Sequence, residues 1–226
     1  MAINNNDLSQ ITARELSNIA RVLYQDAPLF LREVQCGRPY ICPFEKLIPH
    51  ISNKAYVLDI GCGAGLLMGL AAGVGLEFRG RGLDVSGRAI AAAKTMVQRA
   101  KGLNPKVRLD FDLIPKTATW PDETFDVVFL VDVLHHIKAR AQQEFFARAV
   151  SNVRPGGVLV YKDMCLRPWW KAQMNRLHDL VLVAEFIHYV PIQRVAQWAG
   201  ELQMKVIVQE DITRYWYGHE LLVFRS

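Results

Sequence analysis

The fold of this chain is decided by a nine-residue stretch, Val57-Leu58-Asp59-Ile60-Gly61-Cys62-Gly63-Ala64-Gly65. It joins an apolar strand to a glycine loop, and the loop leads into the apolar helical run 66–72. Glycines at alternate positions allow a sharp turn and let a ligand lie against the backbone without obstruction by a Cβ atom. The first turn of the helix adds unpaired N–H groups. The stretch therefore predicts a ligand-binding turn between a strand and a helix.

The acid that precedes the glycines indicates which ligand the loop holds. Asp59 would repel a pyrophosphate but would attract a positively charged group. The glycine spacing also departs from the dinucleotide-binding fingerprint, which would need a third glycine at Leu66. The loop therefore favours a cationic ligand over a dinucleotide.

Three further motifs follow at regular distances. Arg79–Asp84 is a short strand that ends in an acid 19 residues beyond Gly65, where a carboxylate can accept hydrogen bonds from both hydroxyls of a ribose. Thr124–His136 contains an apolar strand followed by Asp132, and Arg154–Val160 turns into another strand. Four ordered motifs together are far more specific than a glycine loop alone.

This motif set resembles that of the class I S-adenosylmethionine (SAM)-dependent methyltransferases of the small-molecule type. SAM carries an ammonium and a sulfonium group but no phosphate, which agrees with the acid at Asp59. The resemblance implies SAM as cofactor, with S-adenosylhomocysteine (SAH) as its product. It places the cofactor against Asp59, Gly61, Cys62, Gly63, Gly65, Asp84, Val85, Asp112, Val131 and Asp132. Asp112 is the expected contact to the adenine, and Asp110 is the alternative.

Alternation of strands and helices predicts an α/β fold. Strands are expected near 55–60, 79–84, 107–112, 126–131, 157–162, 204–209 and 220–225, and helices near 65–74, 87–101 and 138–153. The resemblance implies a doubly wound, Rossmann-like sheet of seven mostly parallel strands with one antiparallel strand, helices on both faces and a helical lid.

The domain organisation follows from the same pattern. Residues 1–54 are expected to form an N-terminal helical cap, with a helix that breaks near Asp26, a loop over 37–43 and a further helix over 44–51. Residues 55–226 form the predicted SAM-binding core, and residues 164–202 form its lid.

The predicted lid is rich in aromatic residues and methionine, which favours an apolar substrate pocket. A histidine near its ordinary pKa is suited to take a proton from an acceptor hydroxyl as the methyl group is transferred. His178 and His188 lie in the lid, and His136 follows the fourth strand, so these three are the candidate general bases. Lys162 and Asp163 end the fifth strand, where they could contact substrate or form ordinary ion pairs.

Composition narrows the function classes. The net charge of +5 comes from scattered basic residues, and Val131–Leu134 lacks the proline motif typical of methylation at base amines, so no nucleic-acid partner is expected. No run of about 18 uncharged apolar residues predicts a membrane span. The sequence begins without a signal peptide, so a cytoplasmic location is expected.

Metal and disulfide chemistry are also expected to be absent. The four cysteines and six histidines show no metal-ligand spacing. Reduced thiols are the expectation for all four cysteines, although a Cys36–Cys42 disulfide stays open.

The leading function is therefore methylation, most simply O-methylation, of a small or medium hydrophobic metabolite. A methyltransferase that acts on RNA or protein is one alternative, and a non-catalytic SAM-binding regulator is the other. The oligomeric state stays open.

Overall fold

The computed structural model describes residue 8 and residues 10–114, 120–164, 188–215 and 217–226. Tertiary contacts group the chain into two compact units, Met1–Pro121 and Asp122–Ser226. The predicted N-terminal helical segment thus belongs to the same unit as the first three strands. No helix in the described part of the chain combines the length and apolar character that crossing a bilayer would require.

The described helices and strands alternate along most of the chain. The strands are β1 (Tyr56–Ile60), β2 (Arg79–Asp84), β3 (Arg108–Leu113), β4 (Phe125–Val131), β5 (Val153–Met164), β6 (Lys205–Arg214) and β7 (Tyr217–Arg225). The α-helices are α1 (Ala13–Leu23), α2 (Leu29–Ile41), α3 (Phe44–Leu47), α4 (Leu66–Gly73), α5 (Gly87–Leu103), α6 (Gln142–Ser151) and α7 (Ile192–Glu201). Short 3-10 turns cover Ile48–His50, Leu134–His136 and Ala139–Ala141.

In the first unit, three parallel strands lie in the order β3-β2-β1. Helix α4 is buried on every side from Leu66 to Ala72, because α1 and α5 pack closely against it. The approach is tightest at Gly69, where a Cβ atom would lie 2.9 Å from Met96 Sδ and 3.0 Å from Leu23 Cδ1. The apolar run that follows the glycine loop is therefore a core helix.

In the second unit, the strands lie in the order β4-β5-β7-β6. β5 runs parallel to β4, whereas β7 runs antiparallel to both β5 and β6. An aromatic cluster packs on this unit, with Phe146 of α6 against Tyr161, Trp198 and Phe224. The predicted α/β class, with seven mostly parallel strands and one antiparallel strand, is confirmed.

The loop predicted over residues 37–43 is wrong. Helix α2 continues to Ile41 with Pro39 inside its last turn. Pro39 cannot donate the usual backbone hydrogen bond, but it is buried on the same helix face as Cys36. The Ser17 hydroxyl of α1 also donates to the Cys36 carbonyl at 2.8 Å. Packing against α1 therefore keeps the last turn of α2 helical, although the local sequence favours a loop there.

Candidate functional site

The loop after β1 adopts a conformation that requires its glycines. Gly61, Gly63 and Gly65 all have left-handed backbones, with φ angles of 73°, 54° and 81°. The amides of Gly61 and Cys62 donate to the Leu83 carbonyl at 2.7 and 3.1 Å, so the loop is fastened to the end of β2. A Cβ atom on Gly65 would lie 2.6 Å from the Phe111 ring, whereas one on Gly63 would meet nothing within 4 Å. The space above Gly63 is thus open to a ligand.

Asp84 connects this loop to the turn after β2. Its Oδ2 accepts the Gly63 N–H at 2.8 Å and its Oδ1 accepts the Ser86 N–H at 2.8 Å. Each carboxylate oxygen has a further lone pair, so these bonds leave acceptor capacity for ribose hydroxyls. The residue predicted to hold the ribose therefore also shapes the glycine loop.

Asp59 lies beneath the loop with only 3% of its surface exposed. Burial, reinforced by the charge of Asp84, raises the pKa of the Asp59 carboxyl to about 8. A cation bound nearby would favour the ionised form. These two buried or half-buried carboxylates fit the positively charged ligand that the sequence predicts.

The thiol of Cys62 is an inert part of the same loop. Burial is the main cause that raises its pKa, and the charges of Asp59 and Asp84 raise it further. The protonated thiol is a poor nucleophile. Cys62 therefore contributes its backbone to the loop and apolar volume to the core.

Tyr24 is a residue of the site that sequence reasoning missed. It follows α1, is 2% exposed, and its hydroxyl donates to the Ala64 carbonyl at 2.7 Å. The N-terminal segment thus fixes the glycine loop from a position 40 residues away. No local pattern around Tyr24 signals this contact.

The predicted adenine contact is engaged in an ion pair. Asp112 Oδ2 lies 3.0 Å from Arg81 Nε, with both side chains partly exposed. Asp110, its rival, is exposed, and Val85 is 58% exposed between Asp84 and Ser86. The roles of these residues towards a cofactor stay predictions.

In the second unit, β4 ends at Val131 and the next residue has a strained backbone. Asp132 has a left-handed φ of 55°, which is uncommon for a residue other than glycine. Its Oδ1 accepts a hydrogen bond from Lys162 Nζ at 2.7 Å, and Lys162 is only 1% exposed. Lys162, two residues before the end of β5, is therefore held in an ion pair with Asp132.

Three histidines cluster at the carboxyl end of β4. His135 is 2% exposed, and its Nδ1 bonds the Asp163 carboxylate. The exposed His136 ring lies 4.1 Å from the His135 ring, measured between centroids. The backbone N–H of exposed His188 donates to the His135 carbonyl at 2.8 Å.

Gln142 fixes the backbone on both sides of this cluster. Its Nε2 donates to the carbonyls of Leu134 and His188, at 3.1 and 2.6 Å. The structure thus brings the His136 ring and the backbone of His188, two of the predicted bases, next to buried His135. His178, the third, lies outside the described residues, as do residues 165–187 of the predicted lid.

A row of carboxylates crosses the sheet of the second unit beside this cluster. Glu220 of β7 stands opposite Asp163 of β5 and Asp211 of β6. Burial raises the pKa of Glu220 to about 7, and the charges of Asp211 and Asp163 contribute in that order. Glu220 therefore keeps its proton until close to neutral pH.

The raised pKa values of Asp59 and Glu220 predict that stability falls as the pH rises. The native protein retains two protons that the unfolded chain releases above the ordinary carboxyl pKa values, so the free energy of unfolding declines between about pH 4 and about pH 8. Melting temperatures should therefore fall over this interval. Asp59→Asn and Glu220→Gln should each flatten the decline, because an amide does not ionise, whereas exposed Glu144→Gln should leave it unchanged. A melting temperature that stays constant or rises would contradict the prediction.

Within the residues that the structure describes, no group of three His, Cys, Asp or Glu side chains is arranged to hold a metal ion. Cys36, Cys42 and Cys62 are buried and carry reduced thiols.

The sequence matches one protein family and curated relatives. The family described as "Methyltransferase domain" matches residues 57–157. A relative is the ubiquinone biosynthesis O-methyltransferase of Rhodopseudomonas palustris, which is 28% identical over 197 residues covering 86% of this chain and 67% of that protein.

Solved structures named as methyltransferases share this fold. A SAM-dependent methyltransferase from Methanosarcina mazei superposes with a TM-score of 0.64 at 18% identity, covering 80% of this chain and 96% of its own. An O-methyltransferase family 2 protein from Planctomyces limnophilus, solved in complex with apigenin, gives 0.66 at 19% identity, covering 94% of this chain and 65% of its own. At these identities the superpositions establish the fold alone.

Proposed function

Because the chain belongs to the class I SAM-dependent methyltransferases, we propose that it transfers a methyl group to a hydroxyl of a small or medium hydrophobic metabolite. The enzyme uses SAM as its cofactor. The relative from R. palustris is named as an O-methyltransferase, which supports the hydroxyl as acceptor. The observation that carries the proposal is the histidine cluster at the carboxyl end of β4, because methylation of a poorly acidic hydroxyl requires a general base.

The chain offers a coherent set of residues to hold the cofactor. Asp59 would face its positive charge, the loop of Gly61, Cys62, Gly63 and Gly65 would lie along it, and Asp84 with Val85 would meet the ribose. Asp112 remains the proposed adenine contact, and Val131 and Asp132 the proposed contacts from the second unit. When bound, SAM supplies a methyl group on a sulfonium that is already a good leaving group. The protein's remaining task is to align the acceptor oxygen and to remove its proton.

His136 is the proposed base. Its imidazole is exposed, and it packs against His135, which Asp163 holds in place from the other side. The side chain that takes the proton is thus positioned by a buried pair, which limits the orientations it can adopt. His188 is the second candidate, and its backbone is fixed by His135 and Gln142. His178 stays a candidate on sequence grounds alone.

Asp84→Ala should weaken SAM binding by about 10- to 100-fold. The variant loses the proposed acceptors for the ribose and also releases the Gly63 N–H that holds the loop. Asp84→Asn should be affected less, because its amide oxygen can keep one of the two backbone bonds. Calorimetric titration with SAM measures the affinity of both Asp84 variants. Asp112→Asn, on the neighbouring strand, is measured for comparison. Unchanged affinity in Asp84→Ala would contradict the ribose assignment.

Methyl transfer is tested by incubation with methyl-labelled SAM and a cell extract. Label in an organic-solvent fraction as a base-stable ether supports the proposal. Label in macromolecules would assign the enzyme to RNA or protein instead, and SAM binding without transfer would favour a regulator. Parallel reactions with a chelator should proceed at the same rate, because no metal is proposed. The substrate is proposed to be a cytoplasmic metabolite, in keeping with the reduced thiols of Cys36, Cys42 and Cys62.

A further inference from the structure

A cavity of about 360 Å³ lies in the first unit at the amino ends of β1, β2 and β3. The glycine loop is at the opposite, carboxyl end of β1, about 16 Å away along a five-residue strand. The cavity is therefore separate from the proposed cofactor residues. The side chains that line it include Lys54, Glu77, Phe78, Arg79, Lys106 and Arg108.

Two arginines stand side by side in this cavity. Arg79 begins β2 and Arg108 begins β3, and the two are direct neighbours in the parallel register. Like charges in adjacent register positions repel one another, which is unfavourable unless an anion lies between them. The Arg79 guanidinium lies 4.6 Å from the centroid of the Tyr56 ring on the neighbouring strand β1, which holds this side chain at the rim of the cavity. Arg79 and Arg108 therefore bring two positive charges to the same end of the sheet.

Two lysines enter the cavity from fixed turns. Lys54 precedes β1 with a left-handed φ of 63°, and its N–H donates to the Glu77 carbonyl at 2.5 Å. The N–H of Lys106 donates to the side-chain oxygen of Asn104 at 3.2 Å, and buried Asn104 donates to the Leu76 carbonyl at 2.8 Å. Both lysines are therefore placed by backbone geometry.

The side chains that line the cavity carry more positive than negative charge. Lys106 Nζ lies 3.3 Å from Glu77 Oε2, so the single lining acid is paired with one of the four lining cations. Lys54, Arg79 and Arg108 supply three further positive charges on the same cavity wall. All four cations are exposed, so the site is an open depression on the surface of the first unit.

We propose that this cavity binds a compact polyanion, such as the diphosphate group of a small molecule. Paired guanidinium groups match phosphate oxygens with two hydrogen bonds each, and the lysines add point charges. A small ligand is favoured over nucleic acid because the surplus charge is concentrated in one concave site, whereas the chain has no basic tract that would follow a phosphate backbone. The site is independent of methyl transfer.

Calorimetric titration with inorganic pyrophosphate at low ionic strength tests the proposal. We expect saturable binding that is weakened about tenfold in Arg79→Gln and in Arg108→Gln, and more in the double variant. Arg14→Gln is the matched control, because Arg14 is an exposed arginine on α1 of the same unit and does not line the cavity. Melting temperatures of all variants show whether they are folded, and SAM affinity should be equal in all of them.

Three results would overturn the proposal. One is the absence of pyrophosphate binding by the wild-type protein, which needs no variant to interpret. Another is an equal loss in Arg14→Gln, which would indicate unspecific charge attraction. The third is tighter binding of a single-stranded oligonucleotide that is lost in the same arginine variants, which would assign the cavity to nucleic acid. None of these results depends on whether the methyl acceptor has been identified.

Discussion

Replacement of Gly63 by valine is expected to lower SAM affinity by at least about 100-fold while the protein remains folded. A Cβ atom at this position would meet no protein atom within 4 Å, so the branched side chain would occupy the space proposed for the ligand. The backbone has a φ of 54°, a conformation that valine adopts only at a cost of about 1–2 kcal/mol. Binding calorimetry with SAM measures the loss, and thermal unfolding measures the strain.

Gly37→Val is the matched control for this experiment. Gly37 lies inside α2, its Cβ would also meet nothing within 4 Å, and its backbone is not left-handed. Its SAM affinity should equal that of the wild type. Gly65→Val would be less informative, because its Cβ would lie 2.6 Å from the Phe111 ring and could unfold the site directly. Wild-type SAM affinity in Gly63→Val would remove the glycine loop from the cofactor site.

His136→Gln should lower kcat by about 10²- to 10⁴-fold without changing SAM affinity. Glutamine keeps hydrogen-bonding capacity but cannot accept the proton of the acceptor hydroxyl at neutral pH. The loss should therefore appear in turnover, and the acidic limb of the pH–rate profile should disappear with it. Steady-state kinetics on the acceptor found with labelled SAM, together with SAM calorimetry, separates the two effects.

His188→Gln distinguishes this histidine from its neighbour. His188 is exposed and hydrogen-bonded to His135 only through its backbone, so its replacement leaves the cluster's backbone contacts intact. A large loss in His188→Gln, with normal turnover in His136→Gln, would move the base to His188. Normal turnover in both single variants and in the double variant would eliminate these two residues and leave His178 as the histidine to test.

Much of the fold could be predicted because its signals are local. β2 begins and ends at Arg79 and Asp84 as expected, and α5 begins at Gly87 and stops before Asn104. Alternating apolar runs and glycine turns are properties of neighbouring residues, and they determine secondary structure with little help from the rest of the chain. The end of α2 was mispredicted for the opposite reason, since packing of Cys36 and Pro39 outweighed a local break.

The roles of the polar residues could not be predicted in the same way, because adjacent residues have different partners. His135 and His136 are neighbours in sequence, yet of the two only His135 is buried. Its ring nitrogen is hydrogen-bonded to the carboxylate of Asp163, which lies 28 residues further along the chain. Lys162 and Asp163 likewise have separate partners. Lys162 forms an ion pair with Asp132, whereas Asp163 is hydrogen-bonded to His135. The sequence placed these side chains near the carboxyl ends of β4 and β5, but which atoms meet depends on how the strands pair.

By itself, the sequence determined the strand, the glycine loop and the helix that follows, together with the charge of the ligand they favour, since Asp59 and the glycines are contiguous. Only the tertiary structure decided that Asp84 and Tyr24 hold this loop, and that Arg79 stands beside Arg108 around a basic cavity. The physical reason is distance along the chain. Backbone conformation depends on nearest neighbours, whereas a hydrogen bond between residues 21 or 40 positions apart exists only after the strands and helices have packed.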